Sequence, residues 1–236
     1  MAYARIKRAI IRCDLEPGRQ VTEEQLAERF EISRAAVRPA IKRLFQEQLV
    51  QTISRQRYII PPITLKDAQD LFELRLLIEP AAAKRAAGRV DAAQLGRLDQ
   101  LCRAQYELGD RESAEAFLRA NTEFHVTVAR ASGNELMAEV IANLLDREER
   151  FNHLSHVLHD RNDAAYHEHH ELVEALVAGD GGRAENVMAE GIRSARLFVV
   201  EALMSSLAIL SANVVKPSRP QENGRRTRVG VGIAGD

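Results

Sequence analysis

Apolar residues recur along the chain at two rhythms, and the rhythm changes mark its elements. Between Tyr3 and Arg12, Ile6, Ile10 and Ile11 share one side of a helix, with Lys7, Arg8 and Arg12 on the other. LEPG (Leu15–Gly18) is a turn, because Pro17 fixes φ and Gly18 can take a positive one. Thr22 then caps a short helix with Glu23 and Glu24 in its first turn, where the helix dipole favours acids. Its apolar stripe is Leu26, Ala27 and Phe30. After a break at Glu31-Ile32, Ser33 caps a further helix with Val37, Ile41 and Leu44 at helical spacing. QTISRQRYII (Gln51–Ile60) has the β-branched and aromatic content of a two-strand hairpin with a basic tip at Ser54–Arg57. Such a hairpin is stable only when packed on the helices. From Leu65 onward the spacing is helical throughout. It predicts six helices at roughly 65–87, 91–108, 112–131, 134–158, 161–178 and 182–206, the first with Leu71, Leu74, Leu77 and Ile78 as its stripe and a kink at Pro80.

These elements predict a mostly α protein. Residues 1–62 form a winged helix-turn-helix, PPIT (Pro61–Thr64) is a stiff linker, and residues 65–206 form an all-helical antiparallel bundle. Residues 207–236, rich in Pro, Gly and Arg, are expected to be a disordered tail.

Charge sharpens the division. The first 60 residues carry 12 Lys+Arg against 7 Asp+Glu, whereas residues 61–205 carry 16 against 25. A basic head on an acidic body implies that only the head meets a polyanion. Arg34 and Arg38 lie four apart near the start of the second head helix, on a face its apolar stripe does not use, which is the geometry of a DNA-reading helix. The candidate DNA contacts are Thr22, Ser33, Arg34, Arg38 and the hairpin arginines Arg55 and Arg57. An ordinary helical hairpin with a solvated charged face is the alternative.

Cys13 and Cys102 match no disulfide or zinc-knuckle spacing, which suits a reduced, cytoplasmic setting. No apolar run follows the basic start, so no signal peptide is expected, and Leu197–Val215 contains Glu201, Asn213 and three serines, a poor membrane span.

The run LEPG…LAERFEISRAAVRPAIKRLFQEQLV…RYII resembles the DNA-binding head of the GntR superfamily of bacterial transcription regulators. LFELRLLIEPAAAKRAA (Leu71–Ala87), NTEFHVTVARASGN (Asn121–Asn134) and EHHELVEALVAGD (Glu168–Asp180) are similar to the all-helical FCD domain of its FadR-like branch. The resemblance spans roughly residues 3–205. It implies a homodimer reading an inverted-repeat operator in double-stranded DNA, with a small effector bound in the bundle. Three positions depart from the pattern. Glu31 stands at a turn that usually has Gly, where a positive φ costs about 1 kcal/mol. Pro39 lies within the recognition helix, where it removes a backbone bond to Ala35 and is expected to kink the helix. Arg57 stands where the wing commonly has Gly.

All seven histidines lie between His125 and His170. Asn121 and His125 are four apart and project together. In the resembled family such a pair binds a divalent metal, His169 matches a second family histidine, and a third is replaced here by Gly191. The resemblance thus implies Asn121, His125 and His169 as ligands of a metal such as zinc, with a position open for water or an effector carboxylate. The alternative is a polar pocket in which these side chains hydrogen-bond an effector or each other. The Arg matching Arg75 faces that cavity in the family and suits a carboxylate effector, its alternative being a surface salt bridge with Glu79. The expected effector site is Arg75, Asn121, His125 and His169. His153, His156 and His159 read as surface or pocket-rim residues. There is no HExxH, no phosphate loop and no nucleophile elbow, so an enzyme is not expected. The departures in the head leave a second reading open, a helical interaction or sensor protein with impaired DNA binding.

Overall fold

The structure, a computed structural model, describes residues 1–103, 111–155 and 162–214, with side chains described over 1–102, 112–153 and 169–205. The head runs α1 (Ala2–Ile11), β1 (Gln20–Thr22), α2 (Glu23–Arg29), α3 (Arg34–Gln46), β2 (Gln51–Ser54) and β3 (Arg57–Ile59). Ile6 and Ile10 of α1 meet Leu26, Val37, Ile41 and Leu44 in a core closed by Leu49, Val50 and Ile60. The expected hairpin gains a strand that the spacing did not predict. β1 pairs antiparallel with β3, Val21 opposite Tyr58, so the sheet order is β1-β3-β2. The third strand fastens the wing to the start of α2.

Glu31 holds the left-handed conformation expected of the turn, at φ 50°. It ends α2 with two backbone bonds, Glu31 N–H to Glu28 O at 3.1 Å and Ile32 N–H to Ala27 O at 2.9 Å. These satisfy carbonyls that the helix end leaves open, and they offset the strain of a side chain there. α3 continues as one helix through Pro39. At the wing tip the left-handed residue is Gln56 (φ 66°), while Arg57 already belongs to β3.

The body comprises α4 (Leu65–Ala86), α5 (Ala92–Arg103), α6 (Arg111–Ala131), α7 (Glu135–Ser155), α8 (Asn162–Val177) and α9 (Gly181–Val214). α4 also continues through its internal proline, Pro80. α9 runs eight residues past the boundary expected at 206, and residues 215–236, the rest of the expected disordered tail, lie outside the described residues. α4 and α9 lie along each other. Gly181 permits the close start of α9, since a Cβ there would stand 2.9 Å from the carbonyl of Lys84.

The inward face of α4 differs from the expected stripe. Ala68, Leu71, Phe72, Arg75 and Glu79 are buried, while Leu74 is 40% and Leu77 69% exposed. A rotation of one residue step explains it. An amphipathic pattern normally sends charges outward, but here an ion cluster occupies the inside and two leucines are left at the surface.

Head and body meet mainly through α1 and α7. Lys7 Nζ lies 2.5 Å from Asp146 Oδ2, Arg147 Nη1 donates to Gln48 Oε1 at 3.1 Å, and Arg150 Nη2 donates to the Pro61 carbonyl at 2.7 Å. Arg12 Nη2 also reaches Glu115 of α6 at 2.5 Å. One turn of α7 therefore carries three of the polar contacts that seat the head.

Candidate functional site

Two places in the fold collect the residues singled out above. The first is a groove on the head lined by Thr22, Arg34, Arg38, Arg55 and Arg57, together with Glu23, Glu24 and Gln56. Thr22 caps α2 reciprocally: its hydroxyl accepts from Gln25 N–H at 3.2 Å while Gln25 Oε1 accepts from Thr22 N–H at 2.9 Å. Ser33 is outside the groove lining, at the exposed start of α3, where its Oγ accepts from Ala36 N–H at 3.2 Å.

Spacing did not reveal the role of the two acids. Glu23 and Glu24 read as helix-start residues, yet Glu24 ion-pairs with Arg34 and Glu23 Oε2 accepts from Arg38 Nε at 2.8 Å. Glu23 is buried and also accepts from the Tyr58 hydroxyl at 3.2 Å. It thereby ties the recognition helix to the wing. Both arginine side chains remain more than 60% exposed, so these pairs are weak and readily exchanged for phosphate or a base.

The second place is a cavity of about 50 Å³ inside the bundle, lined by side chains from α4, α6, α7, α8 and α9. Arg75, Asn121, His125, His169 and Gly191 all face it, as does Glu148. The expected surface bridge from Arg75 to Glu79 exists, but it is buried. Arg75 is 2% exposed; its Nε bonds Glu79 Oε1, its Nη2 donates to Glu79 Oε2 at 3.2 Å, and its Nη1 bonds Glu148. Glu79 Oε2 also lies 2.7 Å from His125 Nδ1, which fixes the ring. Burial pushes the Glu79 carboxyl up, but the charges of Arg75 and His125 and their hydrogen bonds pull harder and bring it down to about 2. The His125 and His169 rings meet edge to face at 5.6 Å, and His169 stacks on Phe124 at 4.4 Å.

The other histidines go elsewhere. The His153 side chain is only 6% exposed, its Nε2 3.4 Å from Glu149 Oε1, so it is neither at the surface nor among the residues lining the cavity, where a surface or pocket-rim place was expected. His170 turns toward Asp99, Nδ1 to Oδ2 at 3.3 Å. The side chains of His156, His159 and His167 lie outside the described residues.

Among the described residues, no three His, Cys, Asp or Glu side chains group as a metal-holding set. The residues implied as zinc ligands supply two imidazoles and a neutral amide. The two buried carboxylates beside them are already engaged by Arg75, so the donor set fits a resident divalent cation poorly.

The description "Bacterial regulatory proteins, gntR family" matches residues 1–60, and the FCD domain matches residues 70–194. The chain belongs to the GntR family, in its FCD-domain branch. The HTH-type transcriptional repressor RspR of Escherichia coli (strain K12) is 25% identical over 191 residues, 81% of this chain and 84% of that protein. The HTH-type transcriptional regulator LutR of Bacillus subtilis (strain 168) is 29% identical over 197 residues, 74% and 89% of the two chains. Among solved structures, E. coli McbR/YncC matches with a TM-score of 0.68 at 19% identity, covering 90% of this chain and 96% of that one, a likeness of fold. This GntR protein is thus a DNA-binding transcriptional regulator with an FCD effector domain, and its relatives are regulators, not enzymes. No helix among its described residues is long and apolar enough to cross a membrane.

Proposed function

We propose that this GntR regulator acts in the cytoplasm as a homodimer on an inverted-repeat operator, and that a small carboxylate entering the bundle cavity changes its hold on DNA. The observation that carries the reading is the placement of one turn of α7. Glu148 faces the cavity and bonds Arg75, while Asp146, Arg147 and Arg150 on the other side of the same turn contact the head or its linker.

The charges dictate how an effector enters. Glu79 and Glu148 already occupy the Arg75 guanidinium, so a further carboxylate reaches it only by replacing one of them. The replaceable one is Glu148, which bonds only Nη1, whereas Glu79 holds both Nε and Nη2. The effector carboxylate takes Nη1, with Asn121, His125 and His169 binding its remaining polar groups. Displaced Glu148 cannot stay buried without a partner, so α7 shifts and the head moves with it. The cavity admits on the order of four waters as it stands, so larger effectors enter only as this shift opens it.

Dimerisation supplies the second half-site reader. Exposed Leu77 of α4 and Leu197 of α9 offer apolar surface on two helices packed together. Sequence selection from random DNA should return a short inverted repeat, and sedimentation should give a dimer at micromolar concentration. A monomer with no preferred sequence would defeat this reading and leave the sensor without DNA binding.

The cavity assignment has its own test. In a thermal-shift screen of small carboxylic acids, His125→Ala and His169→Ala should abolish the response, and Glu148→Gln should strengthen it by removing the competitor. Gly191→His supplies a third imidazole and should raise zinc affinity about tenfold or more. Unchanged zinc affinity would mean that the two histidines and position 191 do not converge on one point.

A further inference from the structure

A second and larger cavity, about 580 Å³, lies at the junction of head and body. Phe45 at the end of α3, Pro61 and Pro62 of the linker, and Arg147, Arg150 and Phe151 of α7 form its walls. Its volume is in the range of small-molecule sites, and its lining pairs apolar side chains with three glutamines and the charged Asp67, Arg147 and Arg150.

Arg150 is the anomaly. It is 5% exposed, and among the described residues its side chain makes one hydrogen bond, from Nη2 to the Pro61 carbonyl. Among the described residues its Nε is buried without a hydrogen-bond partner, and no carboxylate forms an ion pair with it. The contrast with Arg75, which meets two carboxylates, is direct. Burial lowers the pKa of Arg150; Cys13 opposes it, Arg147 adds to it by less, and Asp67 opposes it least. Asp67 lines the same cavity but is spent on the start of α4, its Oδ2 accepting from Thr64 N–H at 3.0 Å and from the Thr64 hydroxyl at 2.5 Å. A buried guanidinium that meets no anion among the described residues is costly, and at the wall of a cavity an anion from solution can complete it.

We propose that this junction cleft is a binding site, separate from the bundle cavity, for a carboxylate carried on a flat apolar body. The carboxylate bridges Arg150 and Arg147 in the forked geometry that guanidinium groups provide. The apolar body lies against Phe45, Pro62 and Phe151. Because those walls belong to head, linker and body, the bound molecule fixes the angle between the two halves. This site does not depend on the effector reading of the bundle cavity.

Benzoate is the probe, used on the full chain, with inorganic phosphate and benzyl alcohol at matched ionic strength as controls. Calorimetry should give saturable benzoate binding, with phosphate and benzyl alcohol each at least tenfold weaker. Arg150→Met should weaken benzoate about tenfold or more and at the same time raise the ligand-free Tm, since it removes an unpaired buried charge. Arg147→Ala, a change at the less buried wall, should weaken benzoate as well and serves if Arg150→Met does not fold. His125→Ala should leave benzoate binding at the junction intact. The proposal is overturned by absence of saturable benzoate binding, by phosphate binding equally well, or by benzoate binding that survives Arg150→Met or Arg147→Ala and disappears in His125→Ala.

Discussion

Arg75→Met is expected to destabilise the protein by about 3–5 kcal/mol, because it strands two buried carboxylates in the bundle. Glu79 is 1% and Glu148 5% exposed, so neither can turn to water when the guanidinium goes. Urea unfolding measures the loss directly. The triple variant Arg75→Met, Glu79→Gln, Glu148→Gln should recover most of it, since the charge rather than the bulk is at fault. A single variant within about 1 kcal/mol of wild type would show that the cluster is hydrated after all. The same cluster sets the response to acid. The folded pKa of Glu79, about 2, lies below its ordinary value of 4.5. It therefore contributes stability that is fully present above about pH 4.5 and is lost as the pH falls toward 2. The urea midpoint should drop over that window in the wild type and drop less in Glu79→Gln.

Arg38→Ala should cost about 1–3 kcal/mol on the specific operator, the range for a bidentate guanine contact. The Nε of Arg38 is anchored on buried Glu23 while the side chain as a whole stays 63% exposed. Arg57→Ala should behave differently. At the start of β3, in the groove lining, it is expected to meet phosphate, so affinity should fall evenly across sequences and the salt slope should decrease by about one. Titrating operator and scrambled duplexes at several salt concentrations separates the two. Equal, sequence-independent losses from both variants would remove Arg38 from the base-reading role.

Much of the head was readable because its elements are local. Thr22 and Ser33 mark helix starts by chemistry alone, and Glu31 sits at a turn whose hydrogen bonds join residues three and five apart. β1 was not readable, since three residues with a single buried one, Val21, carry no alternation to detect. In the body, the order of the helices among the described residues followed from spacing, but the inner face of α4 did not. Hydrophobicity alone places Leu74 and Leu77 inside, and the opposite outcome depends on Glu148, a residue 73 positions from Arg75 that neutralises it. That partner becomes visible only when α7 is laid against α4. The same holds for the acids of the head groove, where Glu23 and Glu24 serve the helix start and the arginines of α3 at once.

The turn of α7 that faces both cavity and head also binds the two halves to one thermodynamic account. If a ligand in the cavity alters operator affinity by some factor, operator DNA alters affinity for that ligand by the same factor. Copies seated on the chromosome and copies free in solution then answer to different concentrations of one metabolite. For a coupling of about 1–3 kcal/mol those thresholds differ by about 5- to 150-fold. The number of operators relative to protein would thus help decide the level at which the cell senses the compound.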